Sequence, residues 1–443
     1  MKRQRKLNKT KAGRNKIRHL RSSSKKSRNK DFSLSARRKP AKKEEKKIDR
    51  PVYKTPEELI EERSSFPEAV KKEISHIRTT LSNTAIANEL RSGRRDLRKL
   101  KIVTIDSEET KDVDDGVSIC RLEDGKFELG VHIADVAHYV KEGTELDLEA
   151  YKRGTSVYLV DKVLPMLPQK LSNGICSLNV GENRFALSII MTINKKGYVE
   201  SYDIFESLIC VAYKITYKQI TALFEGDSAF YKQKDLEKEY AGHLEDIRLM
   251  RELAEVRHNM RYQRGAVDFE FPETHVTTDD NGKPIDVAED SVNFANNIIE
   301  EFMLAANETI AEHFAKLKVP FMFRIHGSPE PTKLMDLSTS VRSMGYTLRG
   351  EGSDPSYAIQ CLLEKAKGKA TEPIISMLAL RAMQKAEYSP CNVGHFGLAA
   401  EYYTHFTSPI RRYPDLFIHR IIKAVLRGKM NVKQEAFWRS IST

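Results

Sequence analysis

The chain has 443 residues, of which 40% are hydrophobic, so it is long enough for two or three domains or for one large domain with extensions. Its apolar runs fall short of the roughly 18 residues that a membrane span needs, and its basic N-terminus is unlike a signal peptide. The five cysteines are widely spaced without a Cys-x-x-Cys pair. That spacing favours reduced thiols in a cytoplasmic protein over a disulfide framework or structural zinc.

Positive charge is concentrated at the N-terminus. The net charge of the chain is +12, but the first 50 residues hold 22 Lys and Arg against 4 Asp and Glu, which leaves residues 51–443 at −6. Residues 1–55 are therefore predicted to form a disordered basic arm. Such arms usually bind polyanions, so nucleic acid is the first expected partner. A solubilising or ribosome-binding tail without a specific role fits the same charges.

The rest of the chain predicts an α+β fold, with strands early and helices late. Residues 56–95 indicate a lead-in segment of short helices. Hairpins are predicted over 117–133, through Asp124-Gly125, and over 185–209, through Gly197. Helices are predicted over 235–262, 291–318, 331–386 and 416–426.

Four aspartates lie within ten residues, directly after the strand-like run at 101–105; they are Asp106, Asp112, Asp114 and Asp115. Carboxylates this close repel one another unless a cation lies among them, and Mg²⁺ prefers oxygen ligands. Paired metal ions of this kind support phosphodiester chemistry. A solvated acidic turn is the alternative. An EF-hand calcium loop is disfavoured, because Val117 stands where that loop requires glycine.

Two later blocks could also carry chemistry. Residues 153–178 contain Tyr158 and two prolines, Pro165 and Pro168, which predict an irregular loop. Arg411 and Arg412 stand just before the last predicted helix. A helix N-terminus and the planar guanidinium both suit phosphate oxygens, so the pair predicts a phosphate clamp. Two surface arginines in salt bridges are the alternative.

Six blocks, in this order, resemble the RNase II/RNase R family of 3′→5′ exoribonucleases. They are TIDSEETKDVDDGVS, ELGVHIADVAHYV, RGTSVYLVDKVLPMLPQKLSNGICSLN, IIEEFMLAANE, FRIHGSPEPTKL and GHFGLAAEYYTHFTSPIRRYPDLFIHR. The resemblance implies an RNB-type catalytic domain over residues 96–443, a mixed β-sheet packed with helices. It also implies an enzyme that uses two Mg²⁺ ions to hydrolyse single-stranded RNA from its 3′ end to 5′-mononucleotides.

The same resemblance implies roles for individual residues. The metal ligands would be Asp106, Asp112, Asp114 and Asp115, with Asp114, Asp106, Asp115 and Arg411 as catalytic residues. Tyr158 would pack against the 3′-terminal nucleotide, and Arg411 would contact the scissile phosphate, with Arg412 beside it. Glu300 or Glu301 would lie near the ribose.

The chain also departs from the family pattern. Relatives usually carry two cold-shock domains before the catalytic domain and an S1 domain after it. Neither is expected here, and the catalytic domain is expected to be truncated at its C-terminus. The alternative function is a catalytically weak RNA-binding protein, or one part of an RNA-degrading assembly with ribosome or RNA-degradation partners.

Overall fold

The computed structural model describes residues 55–160, 162–269, 273–279, 283–290, 294–348, 355–430 and 436. The predicted basic arm, residues 1–55, lies outside this part of the chain except for Thr55. The described residues belong to one compact unit that begins at Ile48. They form the α+β fold that the sequence predicts.

The strands in the described residues are, in chain order, β1 (Arg95–Asp96), β2 (Ile102–Asp106), β3 (Asp115–Arg121), β4 (Phe127–Ala134), β5 (Val157–Tyr158), β6 (Val163–Leu164), β7 (Asn183–Ile193), β8 (Val199–Thr216), β9 (Glu273–Thr278), β10 (Pro284–Asp290), β11 (Phe323–Ile325) and β12 (Glu387–Ser389). The strands β2, β3, β4, β7 and β8 close on themselves as a barrel, because β8 pairs with β7 along its first part and with β2 along its last. The β2–β8 pair is parallel and the other pairs of the barrel are antiparallel.

Both predicted hairpins are confirmed. Strands β3 and β4 pair from Asp115 and Ile133 to Arg121 and Phe127, and the turn between them uses Gly125 at φ +79°. Strands β7 and β8 are joined through Gly197 at φ +88°. Positive φ is the backbone conformation that glycine adopts without strain, so these turns fix the two hairpins.

The helices in the described residues are α1 (Pro56–Arg63), α2 (Glu68–Ser75), α3 (Asn83–Arg91), α4 (Val136–Tyr139), α5 (Glu145–Arg153), α6 (Tyr217–Glu225), α7 (Gln233–Glu239), α8 (Leu244–Arg264), α9 (Phe294–Leu317), α10 (Pro331–Ser343), α11 (Pro355–Ala366), α12 (Glu372–Ala382) and α13 (Tyr413–Leu426). The lead-in segment is helical, as predicted, over α1 to α3. None of the described helices is long and apolar enough to cross a bilayer.

One helix prediction needs correction, and two others are confirmed with their bounds now defined. The helix predicted over 235–262 is two helices, α7 and α8, separated around Gly242, a residue type that is unfavourable inside a helix. The segment 331–386 is mostly helical, as predicted, with three α-helices in its described residues, 331–348 and 355–386. Gly345 at φ +84° and Gly368 at φ +73° lie between them. The last helix runs from Tyr413 to Leu426, and Pro414 and Asp415 lie in its first turn, as predicted.

The main core lies between the barrel and α9. Phe302 and Phe314 of α9 are almost completely buried, together with barrel residues such as Val131 and Ile189. Fully burying a side chain of this size stabilises a fold by about 1.5–3 kcal/mol. This packing holds α9 rigidly against the barrel, so polar residues on the same helix have fixed directions.

A buried ion-pair cluster joins the lead-in segment to the last helix. Asp135, which follows β4, accepts hydrogen bonds from Arg94 at 2.8 Å and from Lys423 of α13 at 2.5 and 2.6 Å. Burial alone would raise the pKa of Asp135, but the two cations hold it well below its usual range. The beginning and the end of the described fold are thus tied to the same carboxylate.

Candidate active site

A cleft of about 1210 Å³ lies at the end of the barrel where β2 and β8 finish and β3 begins. Its lining includes the predicted site residues other than Glu301, namely Asp106, Asp112, Asp114, Asp115, Tyr158, Glu300, Arg411 and Arg412. The late arginine segment folds back onto the early aspartates: the N–H of Ile410 donates to Asp114, which is 296 residues earlier in the chain.

Asp114 is buried beneath this late segment. Its side chain is 4% exposed, and its Oδ1 accepts the hydrogen bond from Ile410 at 2.8 Å. Its Oδ2 has no hydrogen-bond partner among the described residues and lies 3.9 Å from Nε of Arg411. Burial raises the pKa of Asp114 well above its usual value, against the effect of Arg411. A buried carboxylate oxygen without a donor is an open position for a cation.

Asp106 and Asp115 meet because β2 ends at the first and β3 begins at the second. Burial raises the pKa of Asp106 to about 6, and the Asp112 carboxylate adds to that shift. Burial also raises the pKa of Asp115 to about 7, with a further contribution from Asp106. A divalent cation would favour the charged forms of both groups, so this pair fits a metal site.

The carboxylates fit an open Mg²⁺ site better than a closed cage. Within the described ranges, no three His, Cys, Asp or Glu side chains stand close enough to ligate one ion together. Mg²⁺ usually keeps several waters and takes one or two carboxylates together with substrate phosphate oxygens. The unpartnered Oδ2 of Asp114 and the adjacent Asp106 and Asp115 are therefore the groups that would hold such an ion.

Tyr158 lies next to the aspartate loop. Its hydroxyl donates to Oδ2 of Asp112 at 2.9 Å, and 53% of the residue is exposed, so a face of the ring is open to a ligand. The hydroxyl of Ser177 supports the same loop, accepting from the N–H of Val113 at 3.1 Å and donating to the carbonyl of Lys111 at 2.8 Å. The irregular block at 153–178 thus shapes the aspartate loop.

The Tyr158 loop and the Arg411 loop are joined through their backbones. The carbonyl of Arg411 accepts from the N–H of Ser156 at 3.0 Å and from the hydroxyl of Thr155 at 2.9 Å. The Arg411 side chain is 44% exposed and donates to the hydroxyl of Ser408 at 3.0 Å. Any movement of one loop would therefore displace the other.

Arg412, unlike Arg411, is paired with a buried carboxylate. It forms two hydrogen bonds to the fully buried Asp415, at 2.8 and 3.0 Å, and Asp415 also accepts from the N–H of Ser408 at 2.8 Å. The salt-bridge alternative left open by the sequence therefore describes Arg412, although this residue also lines the cleft. Arg411 keeps its guanidinium beside Asp114.

The structure separates the two adjacent glutamates of α9. Glu301 is 1% exposed and accepts from Arg261 at 2.7, 2.9 and 3.1 Å, with Nδ1 of His258 3.5 Å away. Glu300 lines the cleft, and burial raises its pKa. Glu300 thus faces the cleft, while Glu301 holds α8 to α9.

Tyr217 is a cleft residue that the sequence reasoning missed. In the parallel β2–β8 pairing, Asp106 lies opposite Thr216, which places Tyr217 directly beyond the aspartate. Burial raises the pKa of Tyr217, and the charges of Asp106 and Asp115 raise it further. The sequence did hold a signal, because Thr216 and Gln219 form a capping box that starts α6 at this residue.

The lining of the cleft is mixed in charge. It has six acidic side chains (Asp106, Glu109, Asp112, Asp114, Asp115 and Glu300) against five basic ones (Lys111, Lys162, Arg324, Arg411 and Arg412). A polyanion entering the aspartate end would be repelled without additional positive charge. The electrostatics therefore also fit a bound divalent cation.

A profile of the RNB domain matches residues 94–428. The chain belongs to the RNB family. The resemblance to RNase II and RNase R is thereby confirmed. Ribonuclease R 1 of Lactococcus lactis is 42% identical to this RNB chain over 380 residues, which cover 85% of the chain and 44% of the relative. Ribonuclease R of Thermotoga maritima is 42% identical over 384 residues, 86% of the chain and 52% of the relative. The chain thus spans about half the length of these curated relatives.

Solved structures share the fold. Mycoplasma genitalium RNase R in complex with ribose-methylated single-stranded RNA matches this RNB chain with a TM-score of 0.79 and 27% identity, covering 87% of this chain and 59% of that one. Yeast Ssd1, described as a pseudonuclease, matches with a TM-score of 0.63 and 22% identity, covering 82% and 44%. Because a pseudonuclease has the same fold, the fold alone does not establish nuclease activity, which depends on the side chains in the cleft.

Proposed function

We propose that this chain is a Mg²⁺-dependent 3′→5′ exoribonuclease that hydrolyses single-stranded RNA to 5′-mononucleotides. The observation that carries the proposal is the cleft in which Asp106, Asp112, Asp114 and Asp115 meet Arg411. Relatives named ribonuclease R, and a neighbour solved with single-stranded RNA, support the substrate class. The five free cysteines are consistent with action in the cytoplasm.

The aspartates and Arg411 have different roles at the scissile phosphate: the aspartates hold metal ions and Arg411 stabilises negative charge. Two Mg²⁺ ions held by the aspartates would supply activation of a water and stabilisation of the leaving oxygen. Arg411 lies 3.9 Å from Asp114, and its partly exposed guanidinium is placed to stabilise negative charge that develops on the phosphate. The hydrogen bonds that the Arg411 carbonyl accepts from the N–H of Ser156 and the hydroxyl of Thr155 keep that residue in place before substrate arrives.

Tyr158 and Glu300 would select and hold the 3′-terminal nucleotide. The exposed ring of Tyr158 offers a stacking surface, which suits a sequence-independent enzyme because every base has a π-face. Glu300 lines the same cleft, where its carboxylate can accept a hydrogen bond from a ribose hydroxyl. Contact with the 2′-hydroxyl is how a protein distinguishes RNA from DNA.

The test is the degradation of 5′-labelled single-stranded RNA by the full 443-residue chain, in Mg²⁺ and in EDTA. Asp114→Asn keeps an oxygen for the N–H of Ile410 but removes the charge, so the rate should fall by on the order of a thousandfold or more while RNA binding persists. Asp124→Asn, in the exposed β3–β4 turn, is the matched control and should cleave like wild type.

Cleavage in EDTA, or an Asp114→Asn variant as fast as wild type, would refute the proposal. RNA that shifts on a native gel and stays intact in Mg²⁺ would favour the alternative, a catalytically weak RNA-binding protein. Activity that appears only with added cell extract would favour a role within an RNA-degrading assembly.

A further inference from the structure

Arg324 is a cation in the cleft that the proposed chemistry does not use. It lies on β11, lines the same cleft as Asp114, and is only partly buried. Within the described part of the chain, its guanidinium has no carboxylate partner. It lies over the ring of Tyr388, 4.7 Å from the ring centroid. Arg412, by contrast, is neutralised by Asp415.

The surroundings of Arg324 hold it still. The backbone N–H of Arg324 donates to the carbonyl of Tyr403 at 3.0 Å. Its strand, β11, pairs with β12, which carries Tyr388. The Tyr388 hydroxyl hydrogen-bonds Nδ1 of His405 at 2.7 Å, so the ring beneath the guanidinium is fixed. A cation held over a fixed aromatic ring loses little freedom when it binds an anion.

The aromatic side chains around Arg324 carry no charge. Burial lowers the pKa of His395 to about 3 and that of His405 to about 3, so both rings are neutral at physiological pH. Tyr403 is buried between them, with ring centroids 5.1 Å from His395 and 5.6 Å from His405. Arg324 is therefore a positive charge on a neutral, aromatic wall, which we call the distal wall.

The distal wall and the aspartates are connected by one segment. Residues 403–412 begin where Tyr403 accepts from Arg324 and end at Arg411 beside Asp114. Along this segment Asn307 of α9 adds two bonds, accepting from the N–H of Phe406 at 2.8 Å and donating to Tyr403 at 3.4 Å. This one segment thus joins the wall at Arg324 to the aspartate end of the same cleft.

We propose that Arg324 and the distal wall form a subsite for an internucleotide phosphate upstream of the scissile bond. The inference rests on the proposed function, because it takes the 3′ end of RNA to lie at the aspartates. The guanidinium would bind a phosphate oxygen of the strand, and the wall would contact the adjoining nucleotide. Arg324 is a binding residue of this subsite and takes no part in bond breaking.

The test measures binding of 5′-fluorescein-labelled oligoribonucleotides to the full chain carrying Asp114→Asn, by anisotropy over a range of salt concentrations. Adding Arg324→Gln should weaken binding of a long single strand about tenfold, because one charged hydrogen bond is lost. The slope of log K against log salt should become shallower by about 0.7, the value for one phosphate on a single strand.

Two controls separate this site from a packing effect. Arg324→Lys keeps the charge and should retain the slope, whereas Arg342→Gln, in an exposed arginine of α10 outside the cleft lining, should change neither quantity. As the RNA is shortened from its 5′ end, the effect of Arg324→Gln should disappear at a defined length.

An unchanged slope in Arg324→Gln with normal RNA binding would overturn the subsite while leaving the proposed function intact. A loss that persists down to a dinucleotide would place Arg324 at the scissile phosphate and would also overturn it. Absence of any RNA binding by the Asp114→Asn chain would instead count against the proposed function itself.

Discussion

Glu300 and Glu301 are adjacent on α9, and we expect substitutions of the two to have different effects, one on substrate choice and the other on stability. Glu301→Ala would leave Arg261 buried without its main partner. It should lower the free energy of unfolding by about 3 kcal/mol. Glu300→Ala should change that free energy by less than about 0.5 kcal/mol. It should reduce the preference for RNA over an RNA with a 2′-deoxy 3′ end by about tenfold or more.

Urea unfolding and competitive cleavage of the two substrates measure these effects. The opposite pattern, with Glu300→Ala unfolding the protein and Glu301→Ala altering substrate choice, would show that the two glutamates have been assigned the wrong way round.

The sequence could group the site residues but could not orient them. The four aspartates were predictable because like charges in one short loop imply a cation. The separate roles of Glu300 and Glu301 were not, because one residue of helix rotates a side chain by about 100° and only the packing of α8 shows which direction is buried. The partner of Arg412 likewise became known only with the burial of Asp415.

At the scale of elements, the lead-in helix α1 is bonded directly to the block that carries Tyr158. Arg63 at its end donates to the carbonyls of Arg153 and Thr155, at 2.5 and 2.8 Å. Arg153 in turn donates to the carbonyls of Arg63 and Ser65, at 3.2 and 2.7 Å. Thr155 also contacts Arg411, so these reciprocal hydrogen bonds link α1 to the Arg411 loop.

We therefore expect Arg63→Met to affect both stability and substrate binding. The carbonyls of Arg153 and Thr155, the first buried and the second partly buried, would each lose a charged donor, which should lower the free energy of unfolding by about 2 kcal/mol. KM for RNA should rise as the Arg411 loop loosens. Urea unfolding and steady-state kinetics are the measurements. Arg91→Met, in an exposed arginine of α3, is the matched control. Lost stability with an unchanged KM would show that the hydrogen bonds of Arg63 support the fold alone.

The hairpins were predictable and the closure of the barrel was not. Alternating apolar residues and a glycine turn specify a local antiparallel pair, as in β3–β4 and β7–β8. The parallel β2–β8 pair joins Ile102 to Val211 and Asp106 to Thr216. Partners so far apart in the sequence leave no periodic signal in either segment, so Tyr217 could not be placed beside the aspartates.

At the scale of the whole molecule, the charge distribution predicts that different parts of the chain capture RNA and cleave it. Residues 1–50 carry a net charge of +18, whereas the aspartate end of the cleft is acidic. Deleting residues 1–50 should weaken binding of single-stranded RNA about tenfold or more at 0.1 M salt and flatten its salt dependence. Cleavage should persist at saturating RNA, because the cleft lies outside the deleted segment.

Anisotropy measured across salt concentrations checks the binding, and a degradation assay at high RNA concentration checks the cleavage. If the deletion removed all measurable binding and cleavage, the basic arm would be the principal RNA site and the RNA-binding alternative would be favoured.

The identity of the first product is the most direct test of 3′→5′ exoribonuclease activity. Single-stranded RNA labelled at its 3′-terminal nucleotide is mixed with the full chain in Mg²⁺, and products are resolved within the first turnover. We expect the label to appear first in a 5′-mononucleotide, while a parallel 5′-labelled RNA shortens stepwise. Labelled internal fragments, or label that remains in full-length RNA while a complex forms, would contradict it.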